Sequence, residues 1–205
     1  IDIQRPLIRE QILVKLLKGE VVDENTMQGI IDSSGIRLKG PYFTVSVIDR
    51  KYKAKNTRNH IFKDNAYEMI EKNFNPECTA YPVELIHDDI IAIIISSSKS
   101  SDEYAILKVV QDIKKNIEDF AGEKIIIGVG KTYMGIKRIN HSFIESMAAL
   151  EANRIKGIEE ILLFENIAET GRQLYWYPVE AQLRLAHSLN QGDKAVAIET
   201  LDPRC

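Results

Sequence analysis

The six residues Ile90 to Ile95, IIAIII, constrain this chain more than any other stretch of it. Isoleucine is β-branched and suits a pleated strand. The run has no polar alternation, so a strand built from it needs cover on both faces, as in the middle of a layered sheet. It is far short of the ~20 apolar residues that cross a bilayer. Just before it, TAYPVELI reads as a second strand, and the polar break between the two is only His87, Asp88 and Asp89. So short a break predicts a hairpin.

Another isoleucine-rich strand, KIIIGVG, runs into Gly130, Lys131 and Thr132, which raises the question of a phosphate-binding loop. Such a loop reads G-x-x-x-x-G-K-[ST], and its first glycine lets the backbone curl around the phosphates. Here that first position is Ile125, inside the strand, and the YMG after Thr132 opens no helix that could face an anion. Gly128 and Gly130 are therefore expected to end a buried strand and allow a turn.

The remaining segments supply helices around these strands. PLIREQILVKLLKG has Pro6 in a first turn and Gly19 as its stop, with Ile8, Ile12 and Leu16 in one row and Leu13 and Leu17 beside it. DENTMQGIIDSSG gives a second helix ending at Gly35, and YFTVSVID a strand after Pro41. DNAYEMIEKNF reads as a helix. The SSDE at 100–103 is a capping box ahead of a helix whose apolar positions are Leu107, Val110, Ile113, Ile117 and Phe120. NHSFIESMAALEANRIKG is a further helix and EILLFE a last strand. The order β-α-β-β-α-β predicts an α/β (α+β) sandwich with helices on a central mixed sheet. Its expected extent is residues 41–170, between a helical connector over 1–40 and a helical linker over 171–205.

Composition excludes several classes. In 205 residues, 44% are apolar and 28% charged, which is globular, and the net charge of −3 does not suit a nucleic-acid surface. Cys78 and Cys205 make neither a disulfide framework nor a zinc motif, and free thiols fit a reducing cytoplasm. His60 and His141 have no partners at ligand spacing. The basic run Arg50 to His60 reads as a solvated loop, and Trp176 between Tyr175 and Tyr177 as packing of the linker. A chain that starts at Ile1 and stops just after a helical pattern is expected to be a piece of a longer protein.

A hairpin tip bearing acids, next to a strand ending in Asp49, resembles the GGDEF family of diguanylate cyclases, whose palm-like fold has the same order of strands and helices. The signature Gly-Gly-Asp/Glu-Glu-Phe falls on His87, Asp88, Asp89, Ile90 and Ile91. Its glycines have become His87 and Asp88, and its second acid Ile90, so only Asp89 keeps a carboxylate. The family's Asp-x-Asp in the first strand reads Val47-Ile48-Asp49, and its inhibitory Arg-x-x-Asp has no counterpart in ECTAYPVELI. The resemblance thus implies a degenerate domain with no catalytic, cofactor-binding or metal-binding residue, and no cofactor.

The whole chain is similar to a narrower group, the GGDEF-like cytoplasmic domain of membrane-associated AraC-type bacterial transcription regulators. PLIREQILVKLLKGEV, GVGKTY and YWYPVEAQLRLAHSLNQGDKAVAIETLD carry this likeness. The purine-catabolism and carbohydrate-diacid regulators (PucR and CdaR types) have a related domain. The likeness implies a non-catalytic, signal-transmitting module, not an enzyme, in the cytoplasmic part of a cell-membrane protein. DNA would be contacted by a domain following this chain and the membrane by segments preceding it. A homodimer is expected, with Ile8, Ile12 and Leu16 as its candidate interface and the domain's own sheet as the competing destination for that face. The alternative is a nucleotide- or metabolite-binding sensor, and after it a residual diguanylate cyclase.

Overall fold

A computed structural model describes residues 4–20, 23–50, 66–70, 78–85, 90–99, 103–121, 124–156 and 161–170. Ile1–Ile167 form one compact unit and Ala168–Cys205 a second. In the first unit, helices α1 (Gln4–Lys18) and α2 (Glu24–Ser33) precede strand β1 (Tyr42–Arg50). Helical residues 66–70 precede β2 (Cys78–Leu85) and β3 (Ile90–Ser97). Next come α3 (Glu103–Ala121), β4 (Ile125–Val129), β5 (Tyr133–Met134), a 3-10 turn (Ile136–Arg138), α4 (Ile139–Lys156), β6 (Ile161–Leu163) and α5 (Phe164–Thr170).

The sheet order is β2-β3-β1-β4-β6, with β5 continuing the line of β4 along β1. Among the described residues, β4 and β6 pair in parallel and the other pairings are antiparallel. The first four long strands therefore have the split βαβ arrangement, each crossover helix leading to a strand two places away. The mixed sheet expected from the sequence is present, and β1 lies at its centre between the two isoleucine-rich strands. Every residue of β3 and of β4 is buried. The last strand is shorter than EILLFE suggests, because Phe164 already starts a helix.

Alternation along β1 separates two cores. Phe43, Val45 and Val47 face a layer of α1, α2 and α4, while Ile48 faces α3 and the helical residues 66–70. The buried face of α3 consists of Ala105, Ile106, Val109, Val110, Ile113 and Ile117, and Leu107, expected on it, is only half-buried. Phe120, expected to belong to it, is 58% exposed. The helix has turned that position to solvent in its last turn, where Glu118 accepts the Ile125 N–H at 3.1 Å and takes Lys114 and Lys124 as ion partners.

Helices α1 and α2 lie in the same compact unit as the sheet. Ile12, Leu13, Leu16 and Leu17 are buried in the same core as β1 and β3, each burial stabilising by about 1.5–3 kcal/mol. Ile8 alone of the expected interface row is exposed, at 50%. The competing destination considered for that face, the domain's own core, is thus where Ile12 and Leu16 lie. The helix ends where Gly19 adopts φ 73°, and the Glu20 N–H returns to the Lys15 carbonyl at 3.0 Å. Buried Asn140 of α4 donates to the Leu17 carbonyl at 2.7 Å and fastens this end. Asp23 caps α2 by accepting the Thr26 N–H.

Candidate functional site

The hairpin closes at the end of the sheet that also holds Asp49. Leu85 pairs with Ile90, Ile91 with Ile48, and Asp49 with Ile126 of the opposite neighbour. Ile90 and Ile91 are each 1% exposed and belong to the core, one on each face of the sheet. His87, Asp88 and Asp89 lie outside the described residues, as do His60, the basic run 51–60 and the aromatic cluster at 175–177.

Asp49 follows the alternation of β1 and faces the α4 side, buried to 5% exposure. There Arg154 reaches it from the last turn of α4. Its Nε donates to Asp49 Oδ2 at 3.1 Å and its Nη2 donates to the same oxygen. Nη1 donates to Glu151 Oε2 at 2.9 Å. Burial works against the guanidinium's charge, but the hydrogen bonds to Asp49 and Glu151 outweigh it and raise its pKa above the usual arginine value. The last carboxylate of β1 is therefore already neutralised from within the chain. Two divalent ions require several convergent carboxylates, and a cation at Oδ2 would have to displace the guanidinium. Among the described residues, no three His, Cys, Asp or Glu side chains are grouped to hold a metal.

The segment after β4 shows why GVGKTY has its composition. Neither Gly128 nor Gly130 has a positive φ, and β4 runs straight through Gly128, so the expected turn is not the reason for them. Their Cβ positions are occupied by the backbone of α4. A Cβ on Gly128 would lie 2.2 Å from the Ser146 carbonyl oxygen, and one on Gly130 2.0 Å from that of Ser142. The helix thus rests on the strand without an intervening side-chain layer. Ser142 completes the contact by accepting the Val45 N–H at 2.7 Å.

Two backbone donors of this segment are also committed. The Gly130 N–H goes to the Val45 carbonyl at 2.9 Å, and the Lys131 N–H to buried Glu145 at 2.8 Å. Tyr133 donates its hydroxyl to the same carboxylate at 2.6 Å. The Lys131 ammonium lies 5.8 Å from the centre of the Phe164 ring. His141 is half-buried, 6.0 Å from Tyr133 between ring centres. Cys78 is buried and forms no disulfide.

Arg154 and Glu145 were not picked out from the sequence. Their partners lie 105 and 14 residues away and belong to different elements, so no local spacing marks them. A charged residue placed three after Glu151, on a helix otherwise rich in small and apolar side chains, is the only trace Arg154 leaves. No protein-family model matches this chain, and no curated protein matches it. Among the described residues no helix is long and apolar enough to cross a membrane.

Proposed function

We propose that the domain is a non-catalytic regulatory module, a degenerate GGDEF-like domain of an AraC-type bacterial transcription regulator. The observation that carries the non-catalytic part is the Asp49–Arg154 pair. A cyclase needs free carboxylates at the end of the first strand to bind magnesium and triphosphate. Here the only acid of Val47-Ile48-Asp49 is spent on holding α4 to the sheet, and the neighbouring signature positions Ile90 and Ile91 are core residues. The strand order and the closed helix-on-glycine contact support a scaffold role for this segment over a nucleotide clamp.

In this reading the module relays a signal to a DNA-binding domain that follows it, from segments that precede it in or near the membrane, and works in the cytoplasm as a homodimer. With Ile12 and Leu16 in the core, α1 can offer a second copy only its outer side, where Ile8 is half exposed. Two measurements test the reading separately. Incubation with GTP and magnesium should give no cyclic dinucleotide; formation that disappears in Asp49→Asn would overturn the non-catalytic assignment. The coding sequence continuing past Cys205 should specify paired helix-turn-helix motifs, and any other continuation removes the regulator from consideration.

A further inference from the structure

A cavity of about 230 Å³ lies on the α3 side of the sheet, at the opposite end of β1 from Asp49. Ile106 and Leu107 of α3, Val129 of β4, Leu163 of β6 and the Phe164 ring form its apolar walls. Its polar side chains are Thr44, Thr132, Lys131 and, at exposed positions, Tyr104 and Glu165. None of these residues belongs to the Asp49–Arg154 site.

The polar groups are short of acceptors. Thr44 Oγ1 and Thr132 Oγ1 lie 2.7 Å apart, so one hydroxyl hydrogen fills the gap between them and the other is left to donate elsewhere. Lys131 is half-buried, and its ammonium lies 5.8 Å from the centre of the Phe164 ring, with no carboxylate within ion-pair distance among the described residues. A partly desolvated cation beside a spare O–H donor favours a guest with a compact anionic acceptor. The exposed Glu165 opposes a guest with more than one negative charge. The walls favour an apolar body, and a half-open cleft smaller than the roughly 300–1,000 Å³ of drug-sized pockets suits one of about ten non-hydrogen atoms.

We propose that this cavity binds a small aromatic or branched monocarboxylate, with its carboxylate on Lys131 and the threonine pair and its apolar body against Phe164, Leu163 and Leu107. The site is independent of the regulatory reading, since it uses neither the hairpin nor Asp49 and does not depend on what the chain is joined to.

Fluorine NMR and calorimetry with 4-fluorobenzoate on the whole 205-residue chain test it, with 4-fluorobenzyl alcohol as the neutral counterpart. The benzoate should saturate a single site. Lys131→Gln, which keeps the backbone bond to Glu145 and should melt like wild type, should weaken it roughly tenfold, as loss of one charge-assisted contact does. Thr132→Val, nearly isosteric, should weaken it several-fold and serves as the second variant. The alcohol should bind less tightly than the benzoate and be indifferent to Lys131→Gln. Absence of saturable binding at tens of millimolar benzoate overturns the proposal. So does benzoate binding that neither variant reduces, or an alcohol that binds as tightly as the acid.

Discussion

Replacing Gly128 by alanine adds one methyl group and should nonetheless loosen the whole domain. The new Cβ would lie 2.2 Å from the Ser146 carbonyl oxygen and 2.3 Å from the Leu150 nitrogen. Ordinary contact begins near 3.4 Å, so α4 must retreat from β4 by about 1.2 Å. Both colliding atoms are helix backbone, and no rotamer change relieves them. Overpacking typically costs about 1–3 kcal/mol; here the same helix also covers β1, and the upper end, about 3 kcal/mol, is expected. For a chain of this size that lowers the melting temperature by roughly 6–12 °C. Gly29 provides the opposite control, since a Cβ there meets nothing within 4 Å in an exposed helix interior. Gly29→Ala should stabilise by about 0.5–1 kcal/mol. Thermal melts and urea titrations of the two variants, followed by circular dichroism, measure both. A Gly128→Ala protein melting within 2 °C of wild type, taking roughly 1 kcal/mol as the resolvable shift, would refute the close-contact explanation. It would also reopen the nucleotide reading, in which a glycine spared for a ligand can be substituted without harm to the unliganded fold.

Leu16→Ala should cost about 2–5 kcal/mol and Ile8→Asp less than about 0.5 kcal/mol, by chemical denaturation; an Ile12→Asp chain that stays folded as a monomer contradicts the core position of α1. Arg154→Met leaves Asp49 buried and unpaired, and with the guanidinium itself partly exposed a loss of about 2 kcal/mol is expected. A double-mutant cycle with Asp49→Asn should return part of it, and purely additive losses refute the coupling. Glu118 is pushed up by burial, but its bonds from Lys114, the Ile125 N–H and Lys124 outweigh that and hold its carboxyl below the usual range. A depressed folded value stabilises above the unfolded pKa near 4.5 and is lost as pH falls through the lower folded value. Stability of wild type should therefore drop more steeply below about pH 4.5 than that of Glu118→Gln, and parallel curves would deny Glu118 this role.

Much of the architecture could be read from apolar pattern alone. IIAIII and KIIIGVG lack alternation and are the buried strands on either side of β1, and the helix over 103–121 buries Val110, Ile113 and Ile117 as its spacing predicts. What failed involved contacts distant in sequence. The apolar row of α1 looks the same whether it meets a second copy or the chain's own sheet; only the position of β2 and α4 puts Ile12 and Leu16 inside. Gly128 and Gly130 mark a need for space, but whether that space serves a turn, a ligand or a helix is decided by Ser142 and Ser146. The acid ending β1 was legible as a candidate ligand position. Its commitment to Arg154 was not, because the sequence carries no sign of which of many cations will stand opposite a given carboxylate.

Helix α4 has fastenings near both ends and bare backbone contact between them. Asn140 grips the last turn of α1, Arg154 grips the end of β1, and at 1.5 Å per residue the two grips stand about 21 Å apart. Side-chain layers between most helices and sheets act as cushions, because rotamers yield before backbones move. Over Gly128 and Gly130 that cushion has been removed, which makes α4 a splint laid directly on the strand. A displacement of the last turn of α1 would therefore meet, through Asn140, a helix whose contact with β4 is backbone on backbone with no side-chain layer to yield.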